Sequence, residues 1–282
     1  GMTDFTSAAD NALKIERPAI VAAVATPDLD LAATTPSLQS VSFVARNSLT
    51  IERGYLIRAT HIGDVSFISG ASMFLDNVSF VNFGGKLELN GKTGLELDDG
   101  GISSQSLLVN GGAVDVAGGT FSAQNSAVFS GYGSTLKTAN VTISGDTVSL
   151  QANTSSDLQS TTVSATTLLN LNSQQDVNVA GGSYSVSGAG GNVTVSAGRD
   201  IFMGSSPQFQ ANTIQMNAAR DASLTGVQAR GFATLNVAAV NNLNVASGSF
   251  TGASAGSSTA TLTAGNRLDL NGTTVAQTAS IS

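Results

Sequence analysis

Three acidic residues close together in the sequence have the side chains that a sugar-cleaving site requires. Glu88, Glu96 and Asp98 lie in KLELNGKTGLELDDGG, the most densely charged stretch of the sequence. Both glutamates alternate with leucines and are therefore expected to face solvent. Glycoside hydrolysis uses two carboxyl groups roughly 5 to 9.5 Å apart. If the chain is an enzyme, Glu88 with Glu96 or Asp98 is the expected catalytic pair, across one turn of the fold.

A second group of acids recurs along an internal sequence repeat, which is described below. The sequence places one acid at the same turn of each repeat unit: Asp157, Asp176, Asp200 and Asp221. Carboxylates stacked about 5 Å apart could supply the oxygen ligands that calcium prefers. The same acids could instead cap turns by accepting hydrogen bonds from backbone N–H groups. The series continues as Asn242 and Arg267, with Arg199 and Arg220 beside two of the acids. The pattern therefore favours turn capping over a metal site.

Other catalytic chemistry has little support in the sequence. His61 is the only histidine, and the surrounding ATHIGD contains no nucleophile elbow of the kind that a serine hydrolase uses. The chain has no cysteine, which excludes disulfides and thiolate-bound metals. We expect no cofactor.

Composition limits the partners of the protein. Of the 282 residues, 41% are hydrophobic, which is enough for a buried core, whereas only 11% are charged. The net charge of -7 argues against nucleic-acid binding, which needs clustered lysine and arginine, and against docking on an anionic membrane. No run approaches the roughly 20 apolar residues of a membrane span. We therefore expect neither nucleic-acid binding nor membrane insertion.

The elements that would position these side chains are given by an internal repeat. Five units each contain two apolar residues spaced by two, then a turn, then a second apolar pair. The first pairs are Leu169/Leu171, Val193/Val195, Ile214/Met216, Leu235/Val237 and Ala260/Leu262. Successive units are offset by 24, 21, 21 and 25 residues, and looser copies extend upstream. A spacing of two places both side chains of a pair on one face of a β-strand.

The repeat predicts an all-β fold, a single-stranded parallel β-helix with roughly 21 residues per coil. One unit alone buries almost nothing, so the units must stack and share an apolar interior. At a spacing of about 4.8 Å, residues 41–282 have room for about eleven coils. Fold analogy favours a right-handed coil. A helical solenoid does not fit, because glycines interrupt every unit and the apolar spacing is two.

Aromatic residues follow the second strand of four units and are expected to fill the third side of the coil: Phe121, Tyr184, Phe209 and Phe250. An exposed aromatic row could stack on sugar rings, but the interior is the favoured interpretation.

Residues 1–40 lack the repeat and contain three of the four prolines. We expect a cap over the first coil or a flexible tail there, with a short helix beginning near Ser7. The sequence stops in mid-pattern at VAQTASIS, which predicts that the solenoid is a piece of a longer rod.

The units NVTVSAGRDIFMGSS and TATLTAGNRLDLNGTTV resemble the haemagglutinin-type repeats of large secreted bacterial β-helix proteins. That group includes filamentous-haemagglutinin-like adhesins and autotransporter-like passengers. The resemblance covers mainly residues 140–282. It implies an exported, surface-displayed stalk and brings no catalytic residue with it.

Three functions are consistent with these observations. The favoured one is a secreted or cell-surface structural stalk without catalysis, which binds carbohydrate or the surface of a host or neighbouring cell as adhesins do. The first alternative is a carbohydrate-active β-helix enzyme, either a lyase or a hydrolase, with its acids within residues 61–99. The second alternative is a filament segment that associates end to end.

Overall fold

The computed structural model describes residues 3–9, 13–15, 28–30, 38–51, 54–58, 63–252, 258–276 and 278–281. These residues form thirty β-strands and no helix. The strands pair in parallel in both sheets of the protein. The predicted all-β parallel solenoid is therefore confirmed.

Twelve short strands form one sheet, in which each strand lies beside the equivalent strand of the next coil. They are β2 Leu13–Ile15, β5 Leu49–Ile51, β8 Ser72–Asp76, β10 Gly94–Asp98, β12 Val114–Ala117, β14 Leu136–Ala139, β16 Ser155–Gln159, β18 Asp176–Ala180, β21 Ile201–Gly204, β23 Ala222–Thr225, β25 Asn242–Ala246 and β28 Arg267–Asn271.

The remaining eighteen strands form a second sheet. They are β1 Thr3–Ala9, β3 Asp28–Asp30, β4 Leu38–Ala45, β6 Leu56–Arg58, β7 Asp64–Ser69, β9 Ser79–Gly91, β11 Gly101–Gly111, β13 Thr120–Gly131, β15 Thr142–Ala152, β17 Thr162–Ser173, β19 Ser183–Val186, β20 Asn192–Ala197, β22 Gln208–Ala218, β24 Gln228–Ala239, β26 Ser249–Thr251, β27 Thr259–Ala264, β29 Thr274–Ala276 and β30 Thr278–Ile281.

Each coil passes once through the twelve-stranded sheet and twice through the eighteen-stranded sheet. The chain leaves β11, crosses the coil as β12 and returns as β13. A register shift between Ser104 and Ser106 lets β11 serve two sides of the coil. The twelve-stranded sheet has one strand per coil, and its strands from β5 onward give the predicted number of about eleven coils. The handedness of the coil stays a prediction.

Alternation along each strand builds the interior. In β17, Leu169 and Leu171 are buried, whereas Asn170 between them is only partly buried. The two leucines lie in register with Val148 and Leu150 of one neighbouring coil and with the predicted pair Val193/Val195 of the other. The same stacking repeats along the solenoid and produces one continuous apolar cluster.

Aromatic rings occupy the third side of this interior, as predicted. Phe121, Tyr184, Phe209 and Phe250 are each no more than 1% exposed. Tyr184 and Phe209 lie in register on adjacent strands, and their rings stack with centroids 4.9 Å apart and planes inclined by 15°. Such stacked rings add attraction beyond the area that they bury.

Glycine is required where a corner brings one coil against the backbone of the next. Gly182 has φ +91°, and a Cβ at this position would lie 2.2 Å from the carbonyl oxygen of Thr161. Neither the left-handed φ nor the close approach suits an L-residue with a side chain. The corner therefore fixes the residue type at this position.

The expected helix near Ser7 is wrong. Thr3–Ala9 is a strand that pairs in parallel with Leu38–Ala45, and Leu13–Ile15 pairs with Leu49–Ile51. The physical reason is that the edge of a sheet offers unpaired backbone groups, and pairing with them overrides a weak local helix preference. His61 lies outside the described residues.

Candidate functional site

The structure places one of the three expected sugar-cleaving acids, Glu88, on a different sheet from the other two. Glu88 is on β9 in the eighteen-stranded sheet, in register with Ser66 and Leu108. Glu96 and Asp98 are on β10 in the twelve-stranded sheet. Glu88 and Glu96 therefore lie on different sides of one coil, and their role as a catalytic pair stays a prediction.

The three acids have different neighbours. Glu88 forms an ion pair with Lys86, whose Nζ is 2.7 Å from Glu88 Oε2. Glu96 lies in register with Asp115 of the next coil, and Asp98 lies in register with Asp76 of the preceding one. This part of the twelve-stranded sheet is thus an outward-facing acidic area.

Three of the four recurring aspartates do share one column. Val177 pairs with Ile201, and Ile201 pairs with Ala222, so the residues that precede them stack in the order Asp176, Asp200 and Asp221. Asp157 is not in this column, because it lies in register with Asn178, two residues along the strand. Ser155 takes the place expected for Asp157.

Two arginines alternate with the stacked aspartates. Arg199 binds Asp176 through Nε, 2.8 Å from Oδ1, and through Nη2, and its Nε is also 3.5 Å from Asp200 Oδ2. Arg220 binds Asp200 in the same forked manner and reaches Asp221 at 3.2 Å. Each cation therefore lies between two carboxylates of neighbouring coils and offsets their repulsion.

The aspartates also bind the backbone of the next coil. Asp200 Oδ1 accepts a hydrogen bond of 3.2 Å from the N–H of Asp221, and Asp221 Oδ1 accepts one of 3.1 Å from the N–H of Asn242. The side chain of Asp200 is only 2% exposed. Carboxylate oxygens engaged in this way act as turn caps. Among the described residues, no three Asp, Glu, His or Cys side chains come close enough together to hold a metal ion.

The ion pairs change the acidity of their members. The hydrogen bond from Arg199 holds the pKa of Asp176 below its ordinary value of 3.8, against the opposing effect of partial burial. The same contact raises the pKa of Arg199, and the hydrogen bond to Asp200 raises that of Arg220. All three groups therefore stay charged at neutral pH.

A groove of about 660 Å³ lies on the outer face of the twelve-stranded sheet, over β12 to β23. One column of its lining residues is in strict register, one residue per coil: Asp115, Lys137, Asp157, Asn178, Phe202 and Ser223. A second, parallel column consists mainly of small residues, with Ala139, Ala180 and Gly204 among them. We call this surface the sheet groove.

Sequence reasoning missed the sheet groove, although a signal for it was present. Ile201 and Met203 point inward, so simple alternation places Phe202 on the outside. Phe202 is 45% exposed in the structure. Asn178 Nδ2 donates a hydrogen bond to Asp157 Oδ1 in the neighbouring coil. The groove thus combines an open aromatic face with a row of polar side chains.

The parallel pairing, the stacked coils and the shared interior define the protein as a parallel β-solenoid. No family model matches the chain, and neither the curated proteins nor the solved structures contain a match. In the part of the chain that the structure describes, no helix has the length and apolarity needed to cross a bilayer.

Proposed function

We propose that the chain is a non-catalytic β-solenoid stalk of a secreted or cell-surface protein, with adhesin-like binding along its faces. The observation that carries the proposal is the unbroken stack of coils. Leu169 and Leu171 have apolar partners in register on both sides, and the same cluster continues from β5 to β27. A solenoid of this kind holds an extended surface at fixed spacing, which is what a stalk requires.

The charged residues support a structural role. Asp200 is buried under Arg220 and caps a turn, and Asp176 is bound by Arg199. Charged residues are only 11% of the sequence. The strongest charge contacts between coils therefore stabilise the stack itself.

The resemblance to haemagglutinin-type repeats supports the proposed location and partners. The two resembling segments, residues 192–206 and 259–275, form β20 with β21 and β27 with β28. Each segment is thus one step of the same stack, as expected for units of a stalk. We extend the proposal to a bacterial exported protein whose partner is carbohydrate or the surface of a host or neighbouring cell.

The enzyme alternative receives less support. A glycosidase needs its two carboxyl groups on either side of one bond. Glu88 lies on a different sheet from Glu96 and Asp98. A substrate chain that contacts one side of the coil therefore meets only part of the expected set.

The test is incubation with a panel of neutral and acidic polysaccharides, with and without calcium, followed by size-exclusion chromatography of the polymer. We expect a polymer of unchanged length that co-elutes with the protein. Shortened polymer would overturn the proposal, and Glu96→Gln and Glu88→Gln would then show which acid is responsible. Sedimentation over a range of protein concentrations tests the filament alternative, which predicts species that grow with concentration.

A further inference from the structure

We propose that the sheet groove binds a single extended chain of a neutral polysaccharide, which lies along the solenoid axis. This inference rests on the proposed adhesin-like function and names its ligand class and its site. Four observations carry it: an exposed ring, a row of polar groups at one-coil spacing, a floor of small residues and an excess of negative charge.

The exposed ring is Phe202. It lies between Asn178 and Ser223 in its column, and 45% of the residue is open to solvent. Its neighbours along the strand, Ile201 and Met203, are buried and fix the backbone beneath it. A flat apolar ring held in this way can stack on another flat apolar surface, such as the C–H face of a sugar ring, and the contact is favourable because it removes both surfaces from water.

Polar groups follow Phe202 in register. Asn178 lies on the next strand, followed by Asp157 and then Lys137. The amide of Asn178 is oriented by its hydrogen bond to Asp157. Successive groups are spaced by one strand, about 4.8 Å. A polymer with hydroxyl groups on every unit can therefore bind donors and acceptors in several coils at once.

Small residues make room beside this row. Ala139, Ala180 and Gly204 line the groove in the column two residues further along the strands, and Gln159 interrupts them. Larger side chains at these positions would fill the space next to Phe202 and Asn178. Their small size leaves a trough that runs across the strands, along the axis.

The backbone and the charge argue against an added peptide strand and against anionic polymers. Strands such as β16 and β18 are paired on both sides, so a peptide cannot add to the sheet as an extra strand. Asp115 and Asp157 outnumber Lys137 along the groove, which disfavours uronate polymers and nucleic acids by like-charge repulsion. A neutral chain of hydroxyl-bearing rings meets the apolar and polar requirements together.

A larger groove of about 900 Å³ lies at the corner between the two sheets, but it lacks these features. Its lining includes Asn172, Gln174, Asn217 and Val240, and the rest is small residues. It has neither an aromatic ring nor a charged side chain. The sheet groove is therefore the better sugar-binding surface.

The experiment measures dissociation constants of soluble glucan, mannan and galactan, with polygalacturonate as the anionic comparison. Phe202→Ala is the main variant, and Asn178→Ala is a second one on another strand. The matched control is Phe74→Ala, because Phe74 is 43% exposed at the same register position of the same sheet, six strands away. Thermal unfolding verifies that each variant is folded.

We expect at least one neutral polymer to bind, with affinity reduced about tenfold in both groove variants, the equivalent of one good contact, and unchanged in Phe74→Ala. Three outcomes would overturn the sheet groove as the binding site: equal binding by wild type and Phe202→Ala, binding of polygalacturonate alone, or no binding to any polymer. None of these outcomes would contradict the stalk function. Shortened polymer would overturn the stalk function itself, whatever Phe202→Ala does.

Discussion

Arg220 binds Asp200 of the preceding coil through two hydrogen bonds, from Nε and Nη2, and covers a carboxylate that is almost fully buried. A buried charge that loses its partner is costly, whereas an exposed ion pair contributes little. We therefore expect Arg220→Gln to lower the melting temperature clearly. Thermal unfolding followed by circular dichroism measures the effect.

Arg267 supplies the control for that variant. Its guanidinium lies 2.7 Å from Asp269, but the two side chains are 71% and 44% exposed. Arg267→Gln should leave the melting temperature almost unchanged. An equal drop in melting temperature for both variants would mean that the burial of Asp200 does not determine how much its ion pair stabilises the protein.

The contact between Asp176 and Arg199 makes stability depend on pH. The folded pKa of Asp176 is lowered from the ordinary value of 3.8. Its contribution to stability is therefore complete above that value and is lost as the pH falls through the folded pKa. Asp176→Asn should therefore be less stable than wild type at pH 7, and the difference should shrink below about pH 4. Urea unfolding at several pH values tests this, and a difference that is constant with pH would contradict it.

Burial on a single strand decides the cost of losing a leucine. Leu171 on β17 is fully buried, whereas Leu168 on the same strand is 37% exposed. Leu171→Ala should cost about 3 kcal/mol, since it opens a cavity in the stack. Leu168→Ala should change the unfolding free energy by no more than about 0.5 kcal/mol. Urea unfolding of both variants gives the comparison, and similar losses would argue against the packing of β17.

The corner glycines allow strain and collision to be separated. Gly182 and Gly54 have φ of +91° and +86°, but only at Gly182 would a Cβ meet another coil, whereas at Gly54 nothing lies within 4 Å. Gly54→Ala should cost about 1 kcal/mol for the left-handed backbone alone. Gly182→Ala should cost more, because the carbonyl of Thr161 must also move. If the two variants lower the melting temperature equally, the close approach of the coils at Gly182 adds nothing to the cost of the substitution.

The apolar spacing was sufficient to predict the fold. The spacing of Leu169 and Leu171 predicts a strand, and the equivalent pair in the next unit predicts the neighbouring coil. In a stack, every unit must repeat the same inward positions. The structure pairs these residues as the spacing requires. Sequence reasoning failed near Ser7, where pairing with β4 outweighs the local preference.

Site residues were harder to predict, for reasons that particular residues make clear. Asp157 shares its residue type with Asp176, but counting five residues from Leu150, as from Leu171, leads to Ser155. Strand alternation shows that Glu88 and Glu96 face outward, but it does not show which side of the coil each one occupies. The corner between them depends on Gly91, where a Cβ would lie 2.1 Å from the carbonyl oxygen of Gly94.

The parallel stacking of coils has a mechanical consequence. A coil of about 21 residues rises only about 4.8 Å along the axis, whereas the same residues pulled straight span about 70 Å. In the described coils, the backbone hydrogen bonds between coils join neighbouring coils, so tension on the two ends of the rod is expected to peel off one coil at a time. Every coil that unfolds would lengthen the protein by many times the rise of that coil along the axis. A rod of this kind yields in steps under load and keeps its remaining coils folded while it lengthens.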